Sequence, residues 1–346
     1  TTTYFLLLLI HLQANSNPTV DIVLRYAAFT AVWIAQIKDE YWEPYYTALV
    51  VGAFCVMPVC KFCGQDATVA GWTLWKPYAE LPAATKRRVV AWCWVVFVAL
   101  TALMCAASRT FEPPAAPLSF SPARCAFSGL LAAAVCFSLV TDAYRNPPSL
   151  KGSAAYAVGN YLGPYAFFTK HALTIQCSHG VLSFLGELLL DGRLVAMTHA
   201  FACFSAVVGI ALTVLFLKLN WFEATWRKEV LHEMNKRLNF TEITLAAHLP
   251  SLPVALLDVF LAKRPDVYPL TADAMFKVTL FASLYPPFYC GLTCLNFGWS
   301  GGHYPYPFMR SLKKATHWLA FTAILEVLLN GVILPGTFFL MRANPT

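Results

Sequence analysis

The sequence predicts an all-α, polytopic transmembrane helical bundle of about nine spans, and three observations predict it. The chain is 58% hydrophobic and 12% charged, whereas soluble domains carry roughly 25% charged residues. Its apolar runs repeatedly approach the about 20 residues that a helix needs to cross a bilayer core. Its basic residues gather in alternate loops between those runs, the pattern that orients membrane proteins. The formal net charge of +7 is therefore read as a topology signal, and nucleic acid is excluded as a partner.

The clearest spans are residues 89–107, 125–141, 194–217 and 318–340. Residues 167–190, 245–261 and 275–294 are long enough but carry polar groups, and 21–37 and 46–59 are weaker. Between alternate spans lie Lys61, Lys76, Lys86, Arg87 and Arg88, then Arg145 and Lys151, then Lys218, Arg227, Lys228, Lys236 and Arg237, then Arg310, Lys313 and Lys314. The intervening loops hold only Lys38, Arg109, Arg124, Arg193, Lys263 and Arg264. The basic side is expected to face the cytosol or, in an organelle, the matrix. A mitochondrial inner membrane and an endomembrane both fit.

Pro-rich residues 112–122 mark a boundary between an N-terminal helical membrane module, 1–111, and a C-terminal transmembrane bundle, 123–346. Residues 222–238 read as an amphipathic helix at the interface. The chain opens at Thr1 rather than Met, so a removed leader or a missing N-terminal stretch is expected. Most of the 11 cysteines sit in apolar runs, as Cys93, Cys105, Cys136 and Cys203 do, where thiols act as small hydrophobes. Cys60 and Cys63 form a lone CxxC with no second pair, so no metal site and no cofactor is expected.

Polarity inside the spans carries the functional signal, because an ionisable group there costs about 2.5 kcal/mol or more. Residues 167–190 hold Lys170, His171, Thr174, Gln176, Ser178, His179 and Glu187. His171, Thr174 and Ser178 share one helical stripe, which faces protein or a wet cavity. An interhelical hydrogen-bond seam is the plain reading of that stripe. His248 is followed by Pro250 and Pro253, and Pro286-Pro287 sits between Tyr285 and Tyr289. Proline removes an intrahelical bond, and freed backbone at membrane depth must line a cavity or be buried. One polar helix and two opened ones imply an intramembrane pocket.

A hydroxyl and an imidazole on neighbouring helices are the minimum for acyl transfer. Thr174 or Ser178 could supply the oxygen, with His248, His171 or His179 as base. Asp258 lies ten residues, about 15 Å of helix, beyond His248, too far to orient it. P-loops, GxGxxG and HExxH are absent. Histidines in several spans also permit a haem or quinone protein, without supporting spacing.

Three stretches carry a family likeness over about residues 128–339. They are Leu173-Thr174 with Gln176 and Gly186; His248 followed by Pro253 and Asp258; and Trp299 through Tyr306-Pro307-Phe308 before a final apolar helix. In these the chain resembles the androgen-induced-gene family of membrane threonine hydrolases. The resemblance implies a hydrolase of fatty acid esters of hydroxy fatty acids, with Thr174 as nucleophile and His248 as general base. His171, Ser178, Tyr285, Tyr289 and Trp299 would line the substrate site, and membrane lipids would be the partners. The chain departs from the family at Leu245, where the family has a second histidine, and 1–111 has no counterpart. The alternative is a non-catalytic accessory subunit of a large membrane complex, such as a mitochondrial respiratory-chain complex. It would be built on the hydrolase fold and joined to other subunits through the N-terminal module, since fold does not carry function with it.

Overall fold

A computed structural model describes residues 83–115, 117–145, 165, 167–222, 248–263, 270–299 and 306–343. The spans expected at 21–37 and 46–59, the CxxC and nearly all of the amphipathic 222–238 lie outside them. Every regular element among the described residues is helical. In order they are α1 (Ala83–Ala107), α2 (Pro122–Arg145), α3 (Phe168–Leu189), α4 (Gly192–Phe222), α5 (Ser251–Leu257), α6 (Ala272–Trp299), α7 (Ala315–Leu328) and α8 (Leu334–Ala343). A π-helical turn, Asp258–Ala262, continues α5, and another, Leu329–Ile333, joins α7 to α8.

Four described segments are long and apolar enough to cross a membrane: Val90–Thr110, Pro122–Val140, Gly192–Lys218 and Thr316–Met341. The all-α membrane architecture stands, but the described residues supply four spans rather than nine. The two sets of prolines sit differently in their helices. Pro250 immediately precedes α5 and Pro253 lies in its first turn, where backbone N–H groups have no helical partner to lose. Both lie at the start of α5 as described. Pro286 and Pro287 lie inside α6, which runs on through them.

The chain divides into two compact units. The larger comprises Val69–Leu270, Leu292–Arg310 and Leu334–Thr346. Here α3 packs between α2 and α4, and α1 lies against α3. A Cβ on Gly180 of α3 would meet the Ala132 Cα of α2 at 3.1 Å, so the missing side chain is what lets these two backbones approach. Helix α4 is apolar all round, the pattern of a buried helix; 67% of its most apolar window is buried, against 11% for α1. Accordingly α1 turns Trp92, Trp94, Val98 and Leu103 outward.

A tight corner joins α3 to α4. Leu190 adopts the left-handed conformation, φ 54°, and its N–H donates to the Gly186 carbonyl. The Asp191 carboxylate then caps α4, accepting from the N–H groups of Arg193 at 3.0 Å and Leu194 at 3.1 Å. The Pro-rich stretch between α1 and α2 connects two helices of this one unit, with buried Phe111 edge-on to Phe201 at 6.4 Å.

The second unit comprises Thr1–Thr68, Thr271–Gly291 and Ser311–Ile333. Trp318 is fully buried there. The Thr322 hydroxyl next to it donates to the Trp318 carbonyl at 2.8 Å and meets Cys290 Sγ of α6 at 3.2 Å.

Candidate functional site

Helix α3 gathers the polar interior of the larger unit. Its residues Ala172 to His179 are all buried, which is why its polar side chains must find partners on other elements. The N-terminus is held by Tyr306, whose hydroxyl accepts the Phe168 N–H at 3.1 Å while its ring stands edge-on to Phe167. The loop singled out at Tyr306-Pro307-Phe308 therefore fixes the start of the helix that bears Thr174.

Thr174 is 1% exposed, and its hydroxyl pairs with the Tyr165 hydroxyl at 2.9 Å. Tyr165 also reaches the Cys93 carbonyl of α1, at 3.3 Å. If Tyr165 donates to that carbonyl, Thr174 donates to Tyr165, and the threonine is one link in a chain between helices. His171 donates from Nε2 to the Tyr165 carbonyl at 2.6 Å and packs edge-on to the Tyr165 ring. Ser178 accepts from the Thr101 hydroxyl of α1 at 3.0 Å. The stripe of His171, Thr174 and Ser178 thus tethers α3 to α1 and to Tyr165.

His248 is buried, and its Nε2 lies 3.0 Å from the hydroxyl of Thr169, not of Thr174. The two threonines are five residues apart on α3, about 7.5 Å along the axis and about 140° around it. Phe216 of α4 stacks on the imidazole at 4.3 Å, and the Thr213 hydroxyl donates to the His248 carbonyl at 3.1 Å. A hydroxyl–imidazole pair exists, but with a threonine the sequence reading passed over. Tyr285 and Tyr289 are buried on α6 in the second unit, and the Trp299 side chain lies outside the described residues.

The most concentrated polarity surrounds Asp258. His179 donates from Nε2 to Asp258 Oδ2 at 2.8 Å, and Lys263 Nζ lies 3.4 Å from Oδ1. Lys263 also donates to the Ser183 hydroxyl at 2.6 Å. With Nε2 committed to Asp258, His179 Nδ1 is left buried without a partner, as is Gln176 Oε1. Both side chains line a cavity of about 10 Å³ together with Ser128, Ser183, Ser205 and Asp258. That volume admits roughly one water molecule. The Gln176 amide nitrogen is held by the carbonyls of Ser205 at 3.3 Å and Ser251 at 3.2 Å.

Asp258 therefore orients an imidazole, that of His179 and not that of His248. Lys263, read as a loop cation, is 6% exposed and belongs to this cluster. The π turn explains it: the Lys263 N–H bonds the Asp258 carbonyl five residues back, which swings the lysine onto the acid. Ser183, four residues after His179, was legible as an i, i+4 neighbour. No group of three or more His, Cys, Asp or Glu side chains that could hold a metal ion occurs among the described residues. No protein-family model matches the chain, and neither does any curated protein or solved structure.

Proposed function

We propose that this chain is a non-catalytic membrane subunit, a helical scaffold of about nine crossings within a larger membrane assembly. The observation that carries the reading is the bond between Thr174 and Tyr165. A nucleophile must be free to attack, with a base at its hydrogen; this hydroxyl is buried and serves a bridge to Tyr165. The other polar groups behave likewise: Ser178 with Thr101, His248 with Thr169 and Thr213, Gln176 with two carbonyls. Polar side chains that bond across helices are the glue of membrane bundles, worth about 0.6 kcal/mol each on average. The cavity at His179 accommodates a water, not an acyl chain. Helix α1, only 11% buried over its apolar window, offers its outer face to a neighbouring subunit.

The test is migration after extraction in mild detergent. The chain should co-migrate in a native gel with a fixed set of other subunits, respiratory-chain assemblies being the first to probe. Migration alone, at its own mass plus a micelle, overturns the proposal.

One observation favours a second reading, an intramembrane lipid ester hydrolase: the 3.0 Å contact between Thr169 and His248, within nucleophile–base reach. Thr169 rather than Thr174 would then attack the ester carbonyl, His248 taking its proton. A fluorophosphonate probe should label the wild-type chain and the Thr174→Val variant but neither Thr169→Ala nor His248→Ala. An unlabelled wild-type chain retires this reading.

A further inference from the structure

Apart from the polar interior of the larger unit, the second unit buries a carboxylate of its own. Glu326 on α7 is 7% exposed, and Asn330, one turn on in the π segment, is 1% exposed. The Asn330 amide donates to Glu326 Oε2 at 2.6 Å and to the Ala282 carbonyl of α6 at 3.0 Å. That second bond sets the face of α6 that meets the glutamate. Thr279 and Ser283 lie on the same face as Ala282, at i, i+3 and i+4, and both are fully buried.

Four oxygens of this group have no hydrogen-bond partner: Glu326 Oε1, Asn330 Oδ1, Thr279 Oγ1 and Ser283 Oγ. Among the described residues no cation pairs with Glu326. A buried charge in an apolar interior is paired or coordinates an ion, and an ionisable group at membrane depth marks a functional site by default. The free atoms are all oxygens, the ligands of hard cations. One carboxylate balances one positive charge, which selects a monovalent ion over Ca²⁺ or Mg²⁺.

We propose that Glu326, Asn330, Thr279 and Ser283 form an intramembrane site for a hard monovalent cation, Na⁺, for which a proton on Glu326 competes. The site stands whether the chain is a scaffold or a hydrolase, because none of its residues belongs to the Thr174 or His248 groupings. The π turn contributes by setting the direction of Asn330; such turns recur at functional sites.

Dicyclohexylcarbodiimide tests it on the full chain in detergent. A protonated carboxyl adds across the carbodiimide and rearranges to a stable acylurea, which peptide mass spectrometry locates. Glu326 should be labelled in Na⁺-free buffer, and Na⁺ should slow that labelling where choline at equal ionic strength does not. Replacing Thr279 by Val or Ser283 by Ala should raise the Na⁺ needed for half-protection about tenfold, equivalent to roughly 1.4 kcal/mol, with labelling itself retained. Failure to label Glu326 overturns the proposal. So does labelling that Na⁺ leaves unchanged, which would mean a structural carboxylic acid only. The wild-type measurement decides alone if either variant misfolds.

Discussion

Removing the carboxylate of Asp258 should be among the most damaging single changes in the larger unit. Asp258 holds two donors, His179 at 2.8 Å and Lys263 at 3.4 Å, and all three are at most 7% exposed. With an effective dielectric constant of about 20, unit charges 3.4 Å apart attract by about 5 kcal/mol. Desolvation offsets much of that, so the net worth of the pair is small, but breaking it strands a buried lysine. Loss of one partner of a buried pair costs about 3–5 kcal/mol. Asp258→Ala should therefore destabilise by about that amount, and Lys263→Met by less, since the carboxylate it leaves behind still accepts from His179. The Asp258→Ala/Lys263→Met double variant should fall short of the sum of the two by about 1–3 kcal/mol. Denaturant unfolding in detergent micelles, followed by tryptophan fluorescence, measures the cycle. If Asp258→Ala stays within about 0.5 kcal/mol of wild type, or if the two changes add, the buried cluster does not exist as described.

Other changes probe the neighbouring contacts. A Cβ at Gly209 would collide with the Gln176 amide and lie 2.8 Å from the Ser251 carbonyl; Gly209→Ala should cost about 1–3 kcal/mol, read by the same unfolding assay. Tyr165→Phe and Thr174→Val each remove the 2.9 Å hydroxyl pair, so each should cost about 1 kcal/mol with little further loss in the double variant. Leu190 takes φ 54° at an exposed corner, a conformation costing a side-chain-bearing residue about 1–2 kcal/mol. Leu190→Gly should raise the unfolding midpoint, and a fall would show that its packing outweighs the strain.

Much of this architecture is written in the composition. The segments 89–107, 125–141, 194–217 and 318–340 each correspond to a helix long and apolar enough to span, because an apolar run of that length has few other outcomes. Helix α3 was also legible, through polar residues recurring inside a hydrophobic run. Partner assignment was not. The spacing of His171, Thr174 and Ser178 shows that they share a face, yet says nothing of whether a histidine or a tyrosine stands opposite. Tyr165 sits just before the helix in an unremarkable stretch, and Thr169 is an ordinary threonine near a helix start. Periodicity reports the face of a helix, whereas chemistry depends on what the adjacent element brings to it.

Lys263 and Asn330 show where that limit is sharpest. In a regular α-helix, residues five apart point about 140° from each other, so Asp258 and Lys263 read as pointing apart. The π turn Asp258–Ala262 adds a residue to the turn, and the lysine comes round onto the acid. The turn at Leu329–Ile333 likewise includes the asparagine that bridges Glu326 and α6. Neither turn contains proline, and no residue type marks a π segment in the way glycine or proline marks a corner. Both turns coincide with buried polar side chains, and the wider hydrogen-bond ring is less favourable than the α-helical one. A distortion that costs energy twice, each time beside a buried carboxylate, is best explained by the contacts it allows: without it Lys263 would lie in apolar surroundings with no counter-charge.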